Sequence, residues 1–135
     1  MALNVPVCGE FRMLNFILNT GSYTNEHPMM RLFVNSWSPA DNDQVTSYTE
    51  LGAIGGYTAK VLSGGSWAVA SGNPSQASFA EQTWTFTASV GNIFGYHMVH
   101  SQALQLLWSE RFTGGPYNIV NSGDQIKVTP VFTLE

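Results

Sequence analysis

At 135 residues the chain suits one domain built on one hydrophobic core. Only 10% of its residues are charged, against roughly 25% in an average soluble domain, and Ser, Thr, Asn, Gln and Gly stand in the place of the missing charge. The net charge of -4 and five scattered basic residues argue against nucleic-acid binding, and the lone Cys8 excludes an internal disulfide and a cysteine-based zinc site.

Residues 1–9 lack a basic leader followed by a long apolar run, and no stretch reaches the ~18 apolar residues of a membrane span. The expectation is a protein made in a cytoplasm that reaches its working place without a secretion signal. Residues 10–19 carry Leu14, Ile17 and Leu18 at helical spacing, ended by Thr20-Gly21. They predict a short helix, with a strand as the alternative because aromatic and β-branched content is high, and residues 1–20 read as an N-terminal arm or helix. Residues 29–37 predict a strand with Met30, Leu32 and Val34 on one face and Met29, Arg31, Phe33 and Trp37 on the other. Both faces are largely apolar, which marks a central strand or one covered on its second face.

Residues 38–56 form a polar excursion, long for a structureless loop in a compact domain, and either functional or ordered by partners. From Tyr57 a strand-turn rhythm sets in. Residues 57–62 and 66–70 read as strands joined through Ser63-Gly64-Gly65, with Gly-Gly suited to a hairpin. Residues 78–90 read as one long strand with Trp84 and Phe86 inward and threonines outward. Phe79 is out of phase with Trp84, which predicts a bulge near Ala80 and Glu81. Residues 93–100 follow the Gly91-Asn92 turn. Residues 104–112 place Leu104, Leu106, Trp108 and Phe112 on one face. After Thr113-Gly114-Gly115-Pro116 comes a short strand at 117–120, then a turn into residues 125–134. There Ile126, Val128, Pro130, Phe132 and Leu134 alternate with polar residues. Seven or eight strands at this spacing predict a single all-β domain, an antiparallel β-sandwich or jelly roll with a short N-terminal helix or arm.

Chemistry-bearing residues are sparse. His97 and His100 are three apart on a strand and face opposite ways, so no metal site is expected. Glu110 is in phase with Leu106, Trp108 and Phe112; a carboxylate there needs a partner, and Arg111 points the other way. No Gly-x-Ser-x-Gly elbow, phosphate loop or second positioned carboxylate accompanies it. Neither a catalytic centre nor a cofactor is expected. Trp67, Trp84 and Trp108 read as core. Trp37, at a strand end before Ser38-Pro39, is the best surface aromatic. The interface candidates are Phe11, Leu14, Trp37, Glu110 and Arg111.

The order Gly-Tyr-Thr-Ala-Lys-Val-Leu at 56–62, Trp67, Gln82-Thr83-Trp84-Thr85-Phe86, Gly95-Tyr96 with Val99, Leu107-Trp108-Ser109-Glu110-Arg111-Phe112 and Ile126-Lys127-Val128-Thr129-Pro130 resembles small virion structural proteins of tailed bacteriophages, including cyanophages. The N-terminal Val5-Pro6 and Gly9-Glu10 are similar as well. Within that class the chain most resembles capsid cement or decoration proteins. The resemblance implies a homotrimer on the outer capsid surface that bridges capsomers of the major capsid protein, without membrane or nucleic-acid contact. A tail, baseplate or fibre component binding host glycans through exposed aromatics is the other reading.

Overall fold

The computed structural model describes residues 5–9, 27–63, 67–72, 75–102 and 104–134. The described residues form eleven strands: β1 (Pro28–Phe33), β2 (Lys60–Val61), β3 (Ala68–Ala70), β4 (Ser75–Ser78), β5 (Gln82–Thr85), β6 (Gly91–Ile93), β7 (Gly95–His100), β8 (Leu106–Arg111), β9 (Tyr117–Ile119), β10 (Gln125–Val128) and β11 (Val131–Leu134). All their pairings are antiparallel. The expected all-β, sandwich-like architecture is the one observed. The helix expected over residues 10–19 lies outside the described residues.

The central layer is a four-stranded sheet in the order β2-β1-β7-β8. Strands β1 and β7 pair over six residues, from Pro28 opposite His100 to Phe33 opposite Gly95. Met30, Leu32, Tyr96, Met98 and Trp108 turn one face into the main core. Phe33 and Leu106 turn the other towards a smaller core with Tyr48. Burial on both sides explains why residues 29–34 and 95–100 carry near-continuous apolar character in place of clean alternation.

The second layer is where the sequence alternation is most regular and where the chain departs most from it. The run at 125–134 is two strands, not one. β10 pairs with β5, and β11 pairs with β4, which carries β3 on its other side. The break falls at Pro130, which is buried and has no N–H to give; its carbonyl accepts the Phe79 N–H at 3.0 Å. Three residue steps separate Val128 from Val131, but four separate the facing Gln82 and Ser78. The extra residue falls within 79–81, as the phase slip between Phe79 and Trp84 predicts. Phe79 then meets Trp67 edge-on, with ring centroids 5.2 Å apart.

Four other expectations need correction. Residues 57–62 and 66–70 do not pair as a hairpin: β2 joins β1 in the central sheet and β3 joins β4 in the second layer. The expected strand 78–90 is regular only over β5: the Phe86 N–H still reaches Asp124, next in register, but the Thr87 N–H turns away to the Gly55 carbonyl. The expected strand 93–100 is cut at Phe94, with β6 paired to β9 and β7 to β1. Within β8, a register shift opposite Met98 and Val99 takes Leu107 out of the ladder. Leu106 therefore joins the small core while Leu107 and Trp108 join the main one, and the expected single face of Leu104, Leu106, Trp108 and Phe112 is split.

Residues 5–9 lie against β8. Pro6 is fully buried, and Val5 packs on the main core. The Gln105 side-chain amide donates to the Cys8 carbonyl at 3.3 Å. A Cβ on Gly9 would sit 2.1 Å from the Leu107 carbonyl oxygen, so glycine permits this approach. This part of the expected arm belongs to the domain itself and helps cover a sheet edge. Gly95 is confined in the same way, between the Glu110 carbonyl oxygen at 2.2 Å and the Phe33 ring at 2.7 Å from an added Cβ. Gly95→Ala must push β7 from β8 or displace Phe33. The expected loss is about 2 kcal/mol in a urea titration, with unchanged far-ultraviolet dichroism of the residual folded state.

Candidate functional site

The excursion 38–56 is ordered by the chain's own polar groups. After β1, the Val34 N–H donates to the Thr49 carbonyl and the Leu51 N–H to that of Leu32, so the returning chain runs back along β1 opposite Phe33 and Glu50. Asn35 closes the base. Its amide donates to the Ser47 carbonyl at 2.9 Å, and its side-chain oxygen accepts the Thr49 N–H at 2.8 Å. A single 3-10 turn at Val45–Ser47 lies between.

At the centre of this loop sits Asp43, 4% exposed. Its carboxylate accepts the Trp37 indole N–H at 3.0 and 3.1 Å, the Ala40 N–H at 2.9 Å and the Tyr48 hydroxyl at 2.5 Å. Because the single Tyr48 proton goes to Asp43, the 2.7 Å contact between Tyr48 and Ser109 has the serine as donor. The Tyr48 ring stacks on His97, centroids 5.1 Å apart and 18° from parallel, and meets Phe33 edge-on. Burial, and then the hydrogen bond to Asp43, push the Tyr48 hydroxyl well above the usual tyrosine range.

Two further tyrosines repeat the device. Tyr57 donates to Glu50 Oε1 at 3.0 Å and accepts the Leu32 N–H, while Arg31 pairs with Glu50 Oε2 at 2.9 Å. Tyr96 donates to Glu110 Oε2 at 2.5 Å. Both hydroxyls are pushed up, first by burial. Glu110 thus has the partner its apolar surroundings demand, and that partner is Tyr96 on the neighbouring strand.

Of the interface candidates, Phe11 and Leu14 lie outside the described residues. Trp37 and Arg111 are brought together. The Arg111 guanidinium donates to the Trp37 carbonyl at 2.7 Å and to the Ser36 hydroxyl at 3.3 Å, and lies over the Phe94 ring. Trp37 remains 40% exposed, with its indole N–H held by Asp43. Glu110 turns to the opposite face of β8. His97 and His100 are buried. Cys8 is half-buried, its sulfur 3.4 Å from the Asp43 carbonyl oxygen, and burial raises its thiol pKa, which disfavours the thiolate. Among the described residues no group of three or more His, Cys, Asp or Glu side chains could hold a metal ion, and no helix is long and apolar enough to cross a membrane.

The arrangement immobilises a loop and presents one aromatic ring at its tip. Sequence reading missed Asp43 and all three tyrosine partners. Asp43 stands in an ordinary polar run, Asp41-Asn42-Asp43, and only the fold separates it from its neighbours. Comparison with known proteins returns no matching family model, no similar curated protein and no similar solved structure.

Asp43→Ala should cost about 3 kcal/mol or more, because three donors lose their acceptor in the interior. Hydrogen exchange should accelerate over residues 35–50 while β7 stays protected. His97 gives a second expectation. Burial, and then the charge of Arg31, lower its pKa to about 3, and its Nδ1 has no partner among the described residues. Unfolded, it titrates near ~6.5. The stability contribution is therefore complete above about pH 6.5 and is lost as pH falls towards about 3, at a slope of about 1 kcal/mol per pH unit. Urea midpoints across that window should fall for the native chain and flatten in His97→Phe.

Proposed function

We propose that this chain is a non-catalytic structural protein of a bacteriophage particle, a cement protein that sits on the outer capsid surface and bridges neighbouring capsomers. The reading rests on the resemblance of its strand motifs to virion proteins. The observation that best supports it is the Trp37 corner. An exposed tryptophan whose N–H, carbonyl and preceding serine are all tied down by Asp43 and Arg111 has paid its ordering entropy in folding. Tryptophan and arginine are the residues most enriched at interface hot spots. Carboxylates engaged by tyrosines, low charge and exposed Ile54, Val61 and Val69 also suit a protein working in dense contact with neighbours.

In this reading the partners are the major capsid protein and sister copies, with a trimer as the assembly unit. Bridging needs complementary patches and a rigid scaffold, and no reaction. The alternative role, a tail, baseplate or fibre component, is favoured by the same exposed aromatic, since a ring face can also stack on a glycan.

Copy number separates the two. Quantitative mass spectrometry of purified particles should find this chain at a level comparable to the major shell protein. A level of a few copies per particle would move it to the tail, and absence from particles would refute both roles. Trp37→Ala should reduce occupancy on the shell by about tenfold or more while leaving the isolated domain folded, since a central anchor commonly contributes ~2 kcal/mol.

A further inference from the structure

Strand β3 ends the sheet β11-β4-β3, and among the described residues β4 is its only neighbour. One side of its backbone therefore carries N–H and C=O groups open to a further strand. Its three residues, Ala68, Val69 and Ala70, are all exposed, and Val69, at 79%, is the most exposed large apolar side chain among the described residues. We infer that β3 is a self-association edge, which pairs antiparallel with β3 of a second copy about a two-fold axis through Val69. The inference stands apart from the particle proposal, since a two-fold contact cannot itself build a trimer and is read on the chain alone in solution.

The register makes the exposure of Val69 unusual. Val69 stands opposite Ala77, and Ala77 opposite Phe132, so the three side chains share one side of the sheet. Phe132 turns that side onto the main core, where its ring centroid lies 5.2 Å from that of Trp108. At β11 the sheet covers the core, and at β3 it overhangs it. The overhang leaves Val69 uncovered on the side that the same sheet buries two strands away, next to an edge that is open for pairing. A further strand supplies backbone partners and an apolar neighbour at once.

The open backbone calls for an extended strand, and the sequence favours a copy of this one. Ala68-Val69-Ala70 reads the same in both directions. Antiparallel pairing about Val69 sets Ala68 against Ala70 of the second copy and the two valines against each other, a cross-strand pair of β-branched side chains. Identical segments repel where they carry charge. Here residues 61–80 contain no Asp, Glu, Lys, Arg or His, and neither does β11, so no like charges meet. The devices that keep edges apart, a lysine, a proline or a bulge within the strand, are missing from β3. Two-fold pairing uses up this edge on both copies, so the contact closes at a pair.

The test is sedimentation velocity of the full chain over a concentration series, with hydrogen exchange alongside. The mass should double with a Kd in the micromolar range, and exchange over residues 68–70 should slow as concentration rises. Val69→Lys sets two like charges against each other across the axis and should raise that Kd about tenfold or more, as should Val69→Glu. Val69 is exposed in the single chain, so both variants keep the fold. An equimolar mixture of the two should recover the association as a mixed pair, as pairing of residue 69 with its own copy requires. A native chain whose mass never doubles overturns the inference, and leaves the edge to a strand of another protein. Exchange over residues 68–70 that ignores concentration overturns it too, as does a mixture that associates no better than either variant alone.

Discussion

A carboxylate buried between a loop and a sheet is the constraint on which this architecture turns. The buried oxygens of Asp43 need hydrogen-bond partners, and the chain supplies them from three directions. Each donor comes from a different place: the Trp37 indole just past the end of β1, a backbone N–H within the loop, and a tyrosine on the way back. Satisfying the charge and folding the loop are therefore one event. Once Tyr48 is placed, its ring covers Phe33 and His97 and seals the second face of the central sheet. The small core exists because the polar centre holds its lid in position.

The same pairing is repeated with Glu50 and Glu110, which are only partly buried. Every one of the three tyrosines supplies a donor that cannot itself become a competing charge under ordinary conditions, since burial keeps its proton in place. A lysine or arginine in those positions would add a second ion to desolvate. Among the described residues, Arg31 is the cation paired with these acids, and it stands at the rim of the Glu50 pair with 18% of its side chain exposed. The cost of this economy falls on His97, which sits opposite Arg31 in the ladder and is kept neutral.

Much of the fold was legible because period-two alternation reports burial directly. Trp84 and Phe86 point inward, Thr85 and Thr87 outward, and the phase slip after Phe79 marks a bulge. Alternation does not report partners. Nothing in residues 57–70 distinguishes a hairpin from two strands placed in different sheets, since both need the same glycines and the same inward residues. The site was legible to the same depth. Trp37 could be recognised as a surface aromatic, because it ends an apolar strand and precedes Ser38-Pro39. Glu110 could be recognised as needing a partner, because it shares a phase with Trp108. That Tyr96 is the partner depends on the β7–β8 register, with Tyr96 opposite Glu110, and register is a property of the assembled sheet.

The end of β8 ties the two exposed aromatic surfaces together. Arg111 and Phe112 are consecutive, so their side chains leave the strand on opposite sides. Arg111 reaches the Trp37 carbonyl on one side, and Phe112 supports the Tyr117 ring on the other. Phe112 also touches Tyr96, whose hydroxyl is fixed by Glu110, the residue just before Arg111. Three successive residues thus set the positions of Trp37, a core tyrosine and Tyr117. A shift of β8 by one residue would exchange their faces, placing the guanidinium in the main core and the Phe112 ring in solvent. The register of this one strand is therefore selected by burial, and with it the placement of Trp37 and Tyr117.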